Sequence, residues 1–167
     1  MKEKFKRLFA LMMTLAIVMS MAAPIASAAT TAKKNSAPTT KISKFIKDNR
    51  WKNGISWGYY QRPKTSTYGS IGCCAYAADF VKYVYGSNNL RSGSKYTKAS
   101  AIKTGDVLYG TPQHWMCVVS RSGSTLKIAQ GNCSSKVRIA TYTLDGNKIK
   151  TSNGSVFKTF SYGYHYY

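Results

Sequence analysis

Two side chains in this sequence have the types and neighbours that nucleophilic chemistry needs. Cys73 stands near the start of Ile71-Gly-Cys-Cys-Ala-Tyr-Ala-Ala-Asp-Phe-Val-Lys-Tyr-Val-Tyr-Gly86, and His114 heads the apolar stretch His-Trp-Met-Cys-Val-Val119. A cysteine nucleophile works with a base within hydrogen-bonding reach and a third group that holds the base's tautomer. The chain has two histidines. His165 lies in the aromatic tail Tyr162-Gly-Tyr-His-Tyr-Tyr167, where a packed edge-strand role suits it, so His114 is the candidate base. The third group falls in Ala129-Gln-Gly-Asn132, with Asn132 and Gln130 as the candidates.

The cysteine needs a helix to aim it. Counted from Cys73, Tyr76, Ala77, Phe80, Val81 and Val84 recur at helical spacing and form one apolar face. Ser70 is the expected N-cap, and Gly86 the expected residue past the C-terminus. Cys73 then sits in the first turn, where unpaired N–H groups and the positive end of the helix dipole favour a thiolate. Cys74 projects about 100° around the helix, away from the core-facing stripe. Cys73 is therefore preferred as nucleophile.

The histidine needs a hairpin. With Ser122-Gly123-Ser124 as a three-residue loop, Arg121 pairs with Thr125 and His114 falls opposite Asn132. Both then share a face with Met116, Val118, Leu126, Ile128 and Gln130, and Asn132 can accept the imidazole N–H. A two-residue Ser122-Gly123 loop shifts the register by one and turns Asn132 to the wrong face. The sequence leaves both loops open, and the catalytic reading requires the first.

Around this centre the chain divides simply. A basic start (Lys2, Lys4, Lys6, Arg7), an apolar run to about Ala23 and the small residues Ala26-Ser27-Ala28 read as a cleaved signal peptide over 1–29. Residues 30–40 are a polar linker, and 41–167 form one domain. A secreted, cell-wall-associated product is expected, acting as a monomer with no stable membrane insertion, since no later apolar run could span a bilayer. Beyond the leader lie 21 of the 25 basic residues and four of the five acidic ones, a formal charge of +17. Such a surface attracts anionic envelope polymers. No compact basic block follows Lys33-Lys34, so nucleic acid is not an expected partner.

A short helix is expected over Lys41–Asn49, capped by Thr40, with Ile42, Phe45 and Ile46 on one face. Residues 51–70 carry Trp51, Trp57, Tyr59, Tyr60 and Tyr68, as core packing or as a groove lining. Residues 87–100 read as a Ser/Gly/Lys-rich connection. Strands are expected at Asp106–Tyr109, Trp115–Ser120, Leu126–Gln130, Lys136–Tyr142, Lys148–Thr151 and Val156–Tyr166. A helical half followed by an antiparallel sheet makes the class α+β. Four cysteines in a secreted chain invite disulfides. In the hairpin register Cys117 and Cys133 are about 13 Å apart, beyond the bridging reach of roughly 7 Å, while a bridge from Cys74 to either stays open. No Cys/His spacing suits zinc, so no metal or other cofactor is expected. Without glutamate beyond the leader, a paired-carboxylate glycosidase is close to excluded.

Cys73-Cys-Ala-Tyr-Ala77 resembles the Cys-x-small-aromatic-small start of papain-like cysteine peptidases. Lys103-Thr-Gly-Asp-Val-Leu-Tyr109 followed by His114-Trp-Met-Cys-Val-Val119 resembles the bacterial CHAP and NlpC-type cell-wall hydrolases. Ala129-Gln-Gly-Asn132 is similar to the CHAP Glu-x-Asn segment, with Gln130 where an acid is usual. The resemblance covers about residues 50–145. It implies a papain-like α+β fold with the nucleophile helix packed on an antiparallel sheet. It also implies Cys73 as nucleophile, His114 as base, Asn132 or Gln130 as orienting residue, and peptidoglycan or another wall polymer as partner. The expected function is a secreted cysteine amidase or endopeptidase. The alternatives are a non-catalytic cationic wall-binding module, or an effector with the same machinery and a protein substrate.

Overall fold

The computed structural model describes residues 37–60 and 71–167. The expected signal peptide, most of the linker, Tyr68 and Ser70 lie outside the described residues. Helix α1 spans Thr39–Lys47 and buries Ile42 and Phe45; Pro38, not Thr40, holds its capping position, without a side-chain cap. Phe45 stacks on Trp51 at 4.4 Å between ring centroids and meets Phe80 edge-on at 5.3 Å. Helix α2 spans Gly72–Tyr85, and the whole predicted stripe from Tyr76 to Val84 is buried. Ile71, not Ser70, occupies its N-terminal capping position, while Gly86 ends it in the left-handed conformation with φ 75°. That position suits glycine, which has no Cβ to clash there.

The strands are β1 Ser94–Tyr96, β2 Val107–Thr111, β3 His114–Ser122, β4 Thr125–Cys133, β5 Lys136–Asp145, β6 Lys148–Lys150 and β7 Val156–His165. β1 and a 3₁₀ turn over Ala99–Ala101 lie within the stretch read as a plain connection. Neither has an apolar alternation that would mark it in the sequence.

The expected helix-on-sheet, papain-like α+β architecture is overturned. Strands β2 to β7 pair in series, all antiparallel, and β7 pairs back with both β2 and β6. The result is mainly a closed six-stranded antiparallel β-barrel, accompanied among the described residues by two helices. β1 continues the β6 side of β7 through Ser94↔His165. The physical reason is visible in β3, which is apolar on both faces. Trp115 and Cys117 belong to the core cluster shared with the helices, whereas Met116 and Val118 belong to a second cluster inside the barrel. Both helices belong to the first cluster, so the other face of the sheet is covered by closure. Leu108, Met116, Val118, Leu126, Ile128, Tyr142, Ile149 and Phe160 fill that interior. Closure also removes the exposed edges that an open sheet would present.

The β3–β4 hairpin turns through two residues, Gly123 and Ser124, because Ser122 pairs with Thr125. Neither loop considered from the sequence forms. A bulge between Val118 and Ser120 then shifts the pairing to Val118↔Ile128 and Cys117↔Ala129. Those two pairs have the register of the three-residue loop, but the ladder ends there and does not pair His114 with Asn132. A second bulge on β4, between Gln130 and Cys133, breaks the alternation where Asn132 takes φ 56°.

Candidate functional site

Three segments meet at Gly72. Its carbonyl accepts the Trp57 indole N–H at 2.9 Å. Its φ is +58°, and a Cβ there would come 3.2 Å from the Asn132 side-chain nitrogen. Glycine at this position thus lets the start of α2 approach the turn of β4. Cys73 is the next residue, half-buried in the first turn. On its other side it faces β3: burial pushes the thiol of Cys117 well above its ordinary range, and Cys73 adds to that shift. Cys117 lies three residues along β3 from His114, on the face that packs against the helices, whereas His114 is on the barrel side.

A cavity of about 330 Å³ opens at this junction, and its wall includes Cys73, Cys74, His114 and Asn132. Trp115, Tyr109, Tyr162 and Tyr59 supply aromatic surface, so part of the aromatic set read from the sequence is groove and part is core. Trp51 and Trp57 are core: both are buried, and the Trp51 indole donates to Asp79 at 2.9 Å. Cys74 reaches the same wall, beside Tyr162, so its place on the helix does not exclude it from the cavity.

His114 is buried at the head of β3, 8 % exposed, on the side that turns into the barrel. Its Nε2 lies 2.7 Å from Oε1 of Gln130, and the Gln130 amide nitrogen donates to the Tyr142 hydroxyl at 2.7 Å. With Nε2–H donating to the amide oxygen, Nδ1 keeps its lone pair. Burial lowers the histidine's pKa from 6.5 to about 4; the Gln130 hydrogen bond opposes this, and the charge of Lys158 adds to it. The imidazole is therefore neutral at pH 7, as a general base must be before it accepts a proton.

The side chain hydrogen-bonded to His114 is that of Gln130, one of the two candidates, and not that of Asn132, which the predicted hairpin had put opposite His114. The bulge on β4 explains the exchange. Gln130 is the last residue to keep the inward alternation, whereas Asn132 sits in a left-handed conformation and lies against Gly72. There its amide nitrogen is beside the start of α2, where it and the Cys73 backbone N–H could face an oxyanion. Tyr142 is the member that sequence reasoning missed. Its inward position on β5 carried a signal only in combination with the closed barrel.

All four cysteines are free thiols, so no Cys74 bridge forms to Cys117 or Cys133. Among the described residues no group of three His, Cys, Asp or Glu side chains could hold a metal ion. Among them, too, no helix is long and apolar enough to cross a membrane.

Comparison with protein-family models, with curated proteins and with solved structures gave no match to this chain.

Proposed function

We propose that the protein is a thiol hydrolase acting on amide bonds, with the peptide component of the bacterial cell wall as its substrate class. One observation carries this reading. A helix-start cysteine and a neutral histidine, the latter fixed through its Nε2 by Gln130, line the same cavity. In this reading Nδ1 of His114 takes the Cys73 thiol proton as sulfur attacks the carbonyl carbon. The oxyanion faces the Cys73 N–H and the Asn132 amide. His114 then returns the proton to the leaving amine, whose bond to carbon breaks, and water releases the acyl group from sulfur by the reverse path. The wall as target rests on the resemblance of the Cys73, His114 and Gln130–Asn132 segments to CHAP and NlpC-type hydrolases, together with the leader and the +17 charge.

The deciding experiment is alkylation with iodoacetamide at pH 7, followed by peptide mapping and a turnover assay on purified peptidoglycan. Selective labelling of Cys73 with matching loss of turnover is expected, and Cys73→Ala is expected to be inactive while still binding walls. Activity that survives in Cys73→Ala and disappears in Cys74→Ala would transfer the role to Cys74. Wall binding with no turnover and no selective labelling would leave the cationic binding module as the function.

A further inference from the structure

The cavity has one feature that hydrolysis alone does not require. Among its described lining residues Arg91 is the single side chain that is charged at neutral pH. It is exposed, and among the described residues it forms no ion pair. The chain's own carboxylates are committed elsewhere. Asp48 pairs with Arg50 at 2.9 Å, Asp145 with Lys150 at 2.6 Å, and Asp106 with His165 at 2.8 Å. Asp79 is buried and accepts the Trp51 indole N–H. Beyond the leader the sequence contains no other acidic side chain. Arg91 is thus a solvated cation at the rim of the cavity, with no side-chain carboxylate of the described residues paired to it.

The backbone beneath Arg91 is held firmly. Leu90, its neighbour, is buried in the helix-side core, and its carbonyl accepts the Tyr166 hydroxyl. The Arg91 N–H donates to the Asn89 side-chain oxygen at 2.8 Å. Arg91 lies close enough to Tyr162 to act on its hydroxyl, and Lys95 stands 4.5 Å over the same ring. One wall of the cleft is thus aromatic and positive, with a planar fork of donors at its rim. That fork matches a carboxylate in a two-point hydrogen bond.

Resting on the reading of this cavity as a hydrolase cleft, we propose that Arg91 is its specificity-determining residue, binding a free carboxylate of the substrate close to the scissile amide. The cavity is at the small end of ligand pockets, so the carboxylate falls within a residue or two of the bond that Cys73 attacks. The substrate class is narrowed to acidic peptides, and their amidated counterparts are discriminated against.

The test separates binding from chemistry. A panel of blocked tetrapeptides, with one Glu walked through the four positions and a Gln counterpart for each, is titrated against Cys73→Ala by calorimetry at low salt. At one position Glu is expected to bind about 10–100-fold more tightly than Gln. Adding Arg91→Gln is expected to bring that ratio close to one, and Arg91→Lys to retain part of it. A ratio near one at every position in Cys73→Ala, or a Glu preference unchanged by Arg91→Gln, overturns the proposal. Because the readout is affinity, a Glu preference lost with Arg91→Gln upholds the anion site even if the wild type cleaves none of the peptides, an outcome that would count against the hydrolase alone.

Discussion

The two histidines lie on β3 and β7, beside opposite ends of the strand β2 between them, and differ in what holds them. His114 pairs with Gly110 at one end of β2, while Val107 at the other end pairs with Tyr164, the neighbour of His165. His114 has a neutral acceptor, the Gln130 amide, and opens on a cavity. His165 has a carboxylate, Asp106, buried so completely that none of its side chain is exposed. That carboxylate also accepts the Tyr96 hydroxyl and the Lys103 N–H, each at 2.6 Å, and Tyr96 stacks on the His165 ring at 4.1 Å. Burial raises the Asp106 pKa, and these hydrogen bonds pull against the rise. The His165 end is thus a closed knot in which the polar atoms of Asp106 serve one another. Each ring has one nitrogen in a hydrogen bond, and the His114 end differs in lining the cavity of Cys73. A histidine becomes a candidate base through a neutral partner on one side and open space on the other, and aromatic surroundings alone do not distinguish the two.

The largest expected effect tests that distinction directly. His114→Ala is expected to lower kcat/KM on a peptide substrate by about 10³-fold, the scale of a lost general base. His165→Gln, corrected for the folded fraction, is expected to stay within about threefold of wild type. Steady-state kinetics on the two variants decides it, and equal losses would break the comparison.

Next comes the pH dependence of stability. The folded His114 pKa of about 4 lies below its ordinary 6.5, so between these values the unfolded chain binds a proton that the folded chain refuses. Stability is therefore complete above pH 6.5 and falls as pH drops toward 4, by up to about 3 kcal/mol from this group. Asp106 contributes with the opposite sign in both proteins and cancels in a difference. Denaturant melts of wild type and His114→Gln across pH 4–7 are expected to diverge by that amount, with the variant gaining relative stability in acid.

His165→Gln carries a smaller cost, about 2 kcal/mol, since it weakens one of the hydrogen bonds on a buried carboxylate without removing the others. Thermal unfolding at pH 7 measures it, and a loss below about 0.5 kcal/mol would mean that Tyr96 and Lys103 suffice for Asp106. The smallest effect converts one end toward the other. Gln130→Glu places a carboxylate on His114, and the acid limb of the pH–rate profile is expected to move up from about 4 by about one pH unit or more. An unmoved limb would show that a group other than His114 sets it.

Much of the candidate site was legible because it rests on local rules. The stripe from Tyr76 to Val84, Gly86 as a left-handed terminator and Cys73 in the first turn all follow from helical spacing within α2. The choice between Gln130 and Asn132 was not legible. It depends on two bulges, one at Val119 that resets the hairpin and one after Gln130 that releases Asn132 from the ladder. Each bulge is an extra residue accommodated by packing on both sides of the sheet, and its local sequence does not require it. The Arg91 wall was missed for a similar reason. A single arginine in a polar stretch has no periodic signal, and only the fold brings it beside Tyr162 and the cavity of Cys73.

By itself the sequence determined the two helices and six of the seven strands among the described residues to within a few positions, and it singled out the helix-start cysteine and the strand-start histidine that line one cavity. These follow from side-chain periodicity and turn chemistry, which act over a few neighbouring residues. The tertiary structure alone decided that the sheet closes, because closure depends on β7 pairing with its chain neighbour β6 and also with β2, more than 40 positions away. Closure in turn placed Tyr142 behind Gln130 and Gln130 behind His114, since inward-facing residues of separate strands meet only when the barrel has an inside.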